Sequence, residues 1–335
     1  MVTLLTAERL VKLAYKYPSL HSNWYIIAST ALTVVNQPQE IGKILHFALR
    51  QQLLEATTEK TLLTDTYILK LAEDSIASAV KFEDFSAVGV NLPDVLIPYT
   101  YHDKLPLGYK YSKTEDIHAC QTAVASKIRE AILKAAPIAG LPKLINALTA
   151  LRNVTPSSIK PLLKSCRPVT IYPGHVRSSD LVHEDFAGTR FDESIPTYDT
   201  LDGPICTQSV DTKQVVENEV RGLEFWNAVY GKVSTRVKSQ MFNAYPDLWQ
   251  YAFHNVYAPL LSYTGVLSSL ETSFCVIAAL IPQDVNPTLK GHLKGAINLG
   301  GTKEELDDIR LLVFDICDWS GNVQWKGGKE SVAKL

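Results

Sequence analysis

Two side chains able to move protons stand on apolar helical patterns late in the chain. His292 lies in LKGHLKGAINLGGTKEEL, residues 289–306, where Leu289, Leu293, Ala296 and Ile297 recur at helical spacing. A histidine serving only solvation would sit on the opposite face. Glu271 belongs to the preceding helical pattern, LSSLETSFCVIAAL, and shares a face with Leu267, Leu270, Phe274, Cys275 and Ala278. A carboxylate on such a face is costly unless it is paired or protonated. The connector PQDVN is short, so the two helices are expected to pack antiparallel and bring Glu271 near His292. Burial would then raise the glutamate pKa, and a shared proton would couple the two titrations. Such a pair can deliver or remove a proton near neutral pH. The bland alternative is a structural Glu–His hydrogen bond. Cys275, one turn after Glu271, either touches the same pocket or packs as a small hydrophobe.

Other candidates carry less. His118 and Cys120 in EDIHAC have no second ligand pair, so a zinc site is not expected. His175 and His183 fall in irregular sequence without a nameable partner. Glu304, Glu305, Asp307 and Asp308 suit the positive end of a helix better than a metal. The five cysteines are scattered, odd in number and contain no C-x-x-C, which points to a reducing compartment and no disulfide framework. The aromatic residues between 225 and 263 read as core or a subunit interface.

The elements that must position these residues are helical, and the fold class expected is all-α. MVTLLTAERLVKLAYKYP is an amphipathic helix stopped at Pro18, without the apolar run of a secretory signal. NWYIIASTALTVV and PQEIGKILHFALRQQLL follow, then TEKTLLTDTYILKLAEDSIASAV. Residues 83–113 are broken by Pro and Gly and read as an irregular insertion. Helices resume over 114–154, with a break at Gly140 and Pro142 placed for a first turn. Residues 166–214 lose the helical period, hold one short strand candidate at VTIY, and read as a connector between two units. Beyond it come further helices, with Asn286 a candidate N-cap and Thr302 with Glu305 at capping-box spacing.

The segment LSSLETSFCVIAAL…PTLKGHLKGAINLGGTKEELDDIRLLVFDICDWSGNV, roughly 265–325, resembles the carboxymuconolactone decarboxylase family of the alkylhydroperoxidase D-like superfamily. The shared order is L-S-x-x-E, an apolar helix, L-x-x-H-x-x-x-A-x-N-x-G, then T-x-E-E. REAILKAAPIAGLPKLINALTAL and IGKILHFAL resemble a diverged earlier copy, with His46 near the place of His292 and Asn23 where Glu271 would stand. The resemblance implies two tandem alkylhydroperoxidase D-like units packed as a pseudo-dimer: 1–165, a connector 166–214, and 215–328, followed by a tail 329–335. It implies a lyase or decarboxylase acting without metal or organic cofactor, with His292 and Glu271 catalytic and Cys275 and His46 as weaker substrate contacts. It also implies assembly into a homo-oligomer. The superfamily's peroxidases use a C-x-x-C before the histidine; here those positions are approximately Val285 and Thr288, so thiol redox chemistry is disfavoured. A non-catalytic binding or assembly protein that keeps the fold is the rival expectation.

Composition narrows the setting. With 335 residues, 46% hydrophobic, 20% charged and a net charge of -2, the chain lacks the basic surplus of a nucleic-acid binder. Its longest apolar run, FCVIAALI, is too short to span a bilayer, so no membrane span is expected. The last residues, Ala333, Lys334 and Leu335, are a variant of the S-K-L address. They predict a peroxisomal matrix protein that meets an import receptor through that tripeptide, alongside a small-molecule substrate. With this tail the chain resembles fungal peroxisomal proteins that carry such domains.

Overall fold

A helix-period pattern broken by caps dictates most of the architecture. The computed structural model describes residues 3–56, 61, 63–90, 116–161, 166–171 and 210–335. Among these the chain is all-α; the segment read as a strand contributes an isolated bridge, Ile171 to Val210. The remainder of the 166–214 connector and most of the 83–113 insertion, with His175, His183 and Cys206, lie outside the described residues.

Helix α1 (Ala7–Tyr15) starts at Thr6, whose hydroxyl accepts from the Arg9 amide, and buries Leu10 and Leu13. Every residue of α2 (Trp24–Val34) is buried, because its sequence is apolar or small on all sides. A turn through Asn36 in the left-handed region and a short 3-10 segment at Pro38–Glu40 lead into α3 (Ile41–Glu55). Helix α4 (Asp65–Ala87) starts later than its sequence pattern and runs into the stretch read as irregular. Helices α5 (Ile117–Lys134), α6 (Ala136–Ala139) and α7 (Leu141–Val154) complete the first half. Gly140, at φ +86°, makes the corner between the last two.

The second half opens with α8 (Thr212–Tyr230), then α9 (Ser234–Ala244) and α10 (Pro246–Gln250). Where sequence suggested one continuous helix, Tyr251–Leu261 winds as a π-helix containing Pro259. Proline cannot donate to the ladder, so the local bonding shifts, and Ser262 N–H reaches back to Tyr257 O at 2.9 Å. Helix α8 crosses this element at Gly222, where a Cβ would stand 2.6 Å from Ala258 Cα. Helices α11 (Ser269–Leu280), α12 (Asn286–Asn298) and α13 (Lys303–Ser320) follow.

One continuous apolar core runs through both halves. Helix α2 is its centre, packed against α3 and α5 on one side and α11 and α13 on the other. Polar ties cross the same boundary: Lys12 Nζ to Asp315 at 2.8 Å, Tyr17 OH to Asp315 at 2.6 Å, Ser19 OH to Asp308 at 2.6 Å. No described helix is long and apolar enough to cross a membrane.

Candidate functional site

Glu271 sits at the third position of α11 because Ser268 caps that helix. Ser268 Oγ accepts from the Glu271 amide at 3.1 Å, and the Glu271 carboxylate accepts from the Ser268 amide at 2.8 Å. This is a capping box, satisfying two of the amides a helix start leaves open. The other carboxylate oxygen receives Lys127 Nζ of α5 at 2.5 Å. With its amide nitrogen turned inward, Asn23 at the start of α2 also donates to that oxygen, at 3.2 Å. Burial alone pushes the carboxyl up, but the Lys127 ammonium and the Ser268 amide outweigh it and hold the pKa below the usual glutamate value. The expectation that burial would raise it therefore does not hold, and its physical reason is this cationic and amide company.

His292 lies on the buried face of α12, with 9% of its surface exposed. Burial pulls its pKa down to about 4, and no charged or hydrogen-bonding group counters that shift. Among the described residues its ring has no hydrogen-bond partner, and Glu271 is bonded elsewhere. The nearest ring is Tyr230, 6.1 Å away centroid to centroid, whose hydroxyl meets that of Tyr257 at 2.8 Å. Tyr230 and Gly291 help line a cavity of about 900 Å³ on the solvent side. At neutral pH His292 is thus an uncharged imidazole behind a cavity wall, with no group to fix its tautomer.

The structure places the weaker candidates inside the core. His46 is fully buried; its Nε2 is 2.8 Å from Val154 O, its Nδ1 is 3.4 Å from Arg50, and the Phe82 ring meets it in an edge contact at 4.9 Å between centroids. Burial, helped by Arg50, lowers its pKa to about 3. Cys275 is also fully buried, and burial pushes its thiol up to about 12. Cys120 and Cys166 are exposed and unpaired. The tail folds back on the molecule: Val332 is buried, its carbonyl accepts from Arg310 at 3.1 Å, and the Ala333 amide donates to Asn286 Oδ1 at 2.7 Å. Asn286, expected as an N-cap, therefore holds the tail instead, while Lys334 and Leu335 are exposed.

Two curated relatives place the chain. Over 328 residues, 98% of this chain and 99% of the relative, it is 35% identical to Peroxisomal protein 2 of Saccharomyces cerevisiae. The chain belongs to this family. Peroxisomal protein 2 of Schizosaccharomyces pombe is 33% identical over 210 residues, 63% of this chain and 77% of that protein. Membership makes this a peroxisomal protein, in agreement with the reading of its last three residues. No protein-family model and no solved structure matches the chain.

Two lysines at the centre, and the contact of Asn23 with Glu271, escape sequence reasoning. Lys127 and Asn23 gather on Glu271, and Lys134 is fully buried at the base of α11. Lys134 Nζ donates to Leu261 O at 3.2 Å, Tyr263 O at 2.6 Å and Thr272 Oγ1 at 2.7 Å. Burial draws its pKa down to about 8, with Glu130 pulling the other way. All three ammonium hydrogens are used, so it acts as a strut between halves. Lys127 and Glu271 are 144 positions apart in sequence, and no local pattern announces that pairing.

Proposed function

We propose that this chain is a peroxisomal binding and assembly protein that keeps an alkylhydroperoxidase D-like helical body without using Glu271 and His292 as an acid–base pair. The observation that carries the reading is the Glu271 carboxylate: Lys127 takes one oxygen and the Ser268 amide the other. A relay needs a carboxylate that orients the imidazole and a base poised near the working pH. Here the carboxylate is anchored as an anion, and the imidazole is neutral and unoriented.

Assembly has its own support. Val216, Val220 and Leu223 recur at helical spacing on the outer face of α8, with 59%, 53% and 51% of their surfaces exposed. A second copy of the chain covering that stripe would remove a sizeable apolar area from water. The tandem reading is supported by the matching left-handed turns at Asn36 and Asp284, each followed by a proline and a histidine-bearing helix. The terminal tripeptide is the part offered to an import receptor.

The rival lyase reading rests on the cavity wall beside His292. Incubating the full chain, Glu271→Gln and His292→Gln with small carboxylated lactones and enols, followed by NMR, separates the two. No turnover is expected from any of the three. Turnover by the wild type that both variants lose would restore the acid–base pair. Light scattering should give a mass above one chain, falling to one chain in Val220→Glu/Leu223→Glu; a monomeric wild type removes the assembly half.

A further inference from the structure

Helix α12 has a second face, opposite His292. Pro287, Lys290, Lys294 and Asn298 follow one another at three- and four-residue steps and, with Gly291 next to Lys290, line the 900 Å³ cavity. Lys232 and Arg236 line it from the turn after α8 and from α9, and Lys303 from the start of α13. Among the described residues no aspartate or glutamate side chain lines this cavity. Among the described residues, none of the five cations takes part in an ion pair or hydrogen bond, in a chain whose net charge is -2.

The arrangement works against the stability of the free protein. Lys290 and Lys294 are like charges one turn apart, which destabilises a helix. Lys303 opens α13, where the helix dipole is positive and repels a cation. An anion in the cavity relieves both penalties and the mutual repulsion of the five. The rest of the wall is mainly apolar: Val229, Val233, Val237, Ile297 and Leu335 of the docked tail, with Tyr230 beside them. A Cβ added at Gly291 would meet nothing within 4 Å, so the floor of the cavity is open there.

We propose that this cavity binds a small molecule with a polyphosphate head and an apolar body. Four of the five cations are lysines, which serve phosphate as mobile point charges, and their number exceeds what a single carboxylate neutralises. The valine and isoleucine wall takes the body. The proposal does not depend on the acid–base status of Glu271 or His292.

The test is calorimetric titration of the full chain with geranyl diphosphate, inorganic pyrophosphate and geraniol, each below any aggregation threshold. Geranyl diphosphate should bind at least about tenfold more tightly than either fragment, and the affinity should fall with added salt. Lys290→Glu/Lys294→Glu and, separately, Gly291→Leu should each weaken it by about tenfold or more. The second variant adds no charge and favours the helix, so circular dichroism should show it folded. Charge reversal at the exposed Lys213 and the Glu271→Gln change should leave binding alone. Absence of saturable binding by the wild type, or equal affinity in both cavity variants, overturns the site. Pyrophosphate binding as tightly as the prenyl compound overturns the apolar half.

Discussion

Replacing Glu271 by glutamine separates a structural carboxylate from a catalytic one. Glutamine keeps the reach needed for the capping box but removes the charge that Lys127 holds at 2.5 Å. The pair is partly buried, so its loss should lie between that of an exposed pair and a fully buried one, about 1–2 kcal/mol. Alanine should cost about 1 kcal/mol more, because the Ser268 amide also loses its acceptor. Urea unfolding at neutral pH, with Lys127→Met and the double variant, gives the coupling directly. The sign with pH follows from the depressed carboxyl. A carboxylate with a lowered folded pKa adds stability that is present above the unfolded value, 4.5, and is lost as pH falls through the folded one. The wild-type and Glu271→Gln curves should therefore converge below about pH 4.5. A glutamine variant as stable as the wild type at pH 7, or a gap that persists in acid, would show that Lys127 does not anchor this group.

The buried histidines should set acid sensitivity. Both have folded pKa values lowered from 6.5, to about 4 for His292 and about 3 for His46, so the unfolded chain binds the extra protons. Stability should be full above pH 6.5 and fall by about 1.4 kcal/mol per pH unit for each histidine below it. His292→Leu should halve that slope, read from urea midpoints across pH 4–7. Two glycines on the same scaffold should respond oppositely to alanine. Gly291→Ala points into open space and should stabilise by about 0.5–1 kcal/mol, whereas Gly222→Ala drives into Ala258 and should destabilise by about 1–3 kcal/mol in thermal unfolding. Thiol labelling of the native protein should modify Cys120 and Cys166 rapidly and leave Cys275 and Cys317 until urea opens the core. Fast labelling of Cys275 would contradict its sealed position.

The helical class was legible because caps and periodicity agree locally. Thr302 and Glu305 form the expected capping box, and the Gly300–Gly301 break falls between α12 and α13. The same spacing at Ser268 and Glu271 carries the same message: a cap explains a glutamate on an apolar face without an active site. The π-helix was missed because its pattern over residues 251–261 matches an ordinary helix, and only Pro259 hints otherwise. Lys290 and Lys294 stand one turn apart on α12, but Lys232, Arg236 and Lys303 join them only through tertiary packing, which no local pattern announces. Helix α4 shifted toward the C-terminal side because Thr64 caps it, accepting from the Tyr67 amide at 3.3 Å.

The central position of α2 has a consequence for how the chain reaches its fold. All eleven residues of α2 need cover, and α11 and α13 supply much of it from the far end of the polypeptide. During synthesis this helix leaves the ribosome long before those partners exist. The first half then waits with the α11- and α13-facing side of this helix uncovered, a state that invites chaperones and aggregation alike. Contacts of such long sequence separation also slow the search for the native state. The docked tail emerges after both of its partners, so its contacts with Arg310 and Asn286 form late.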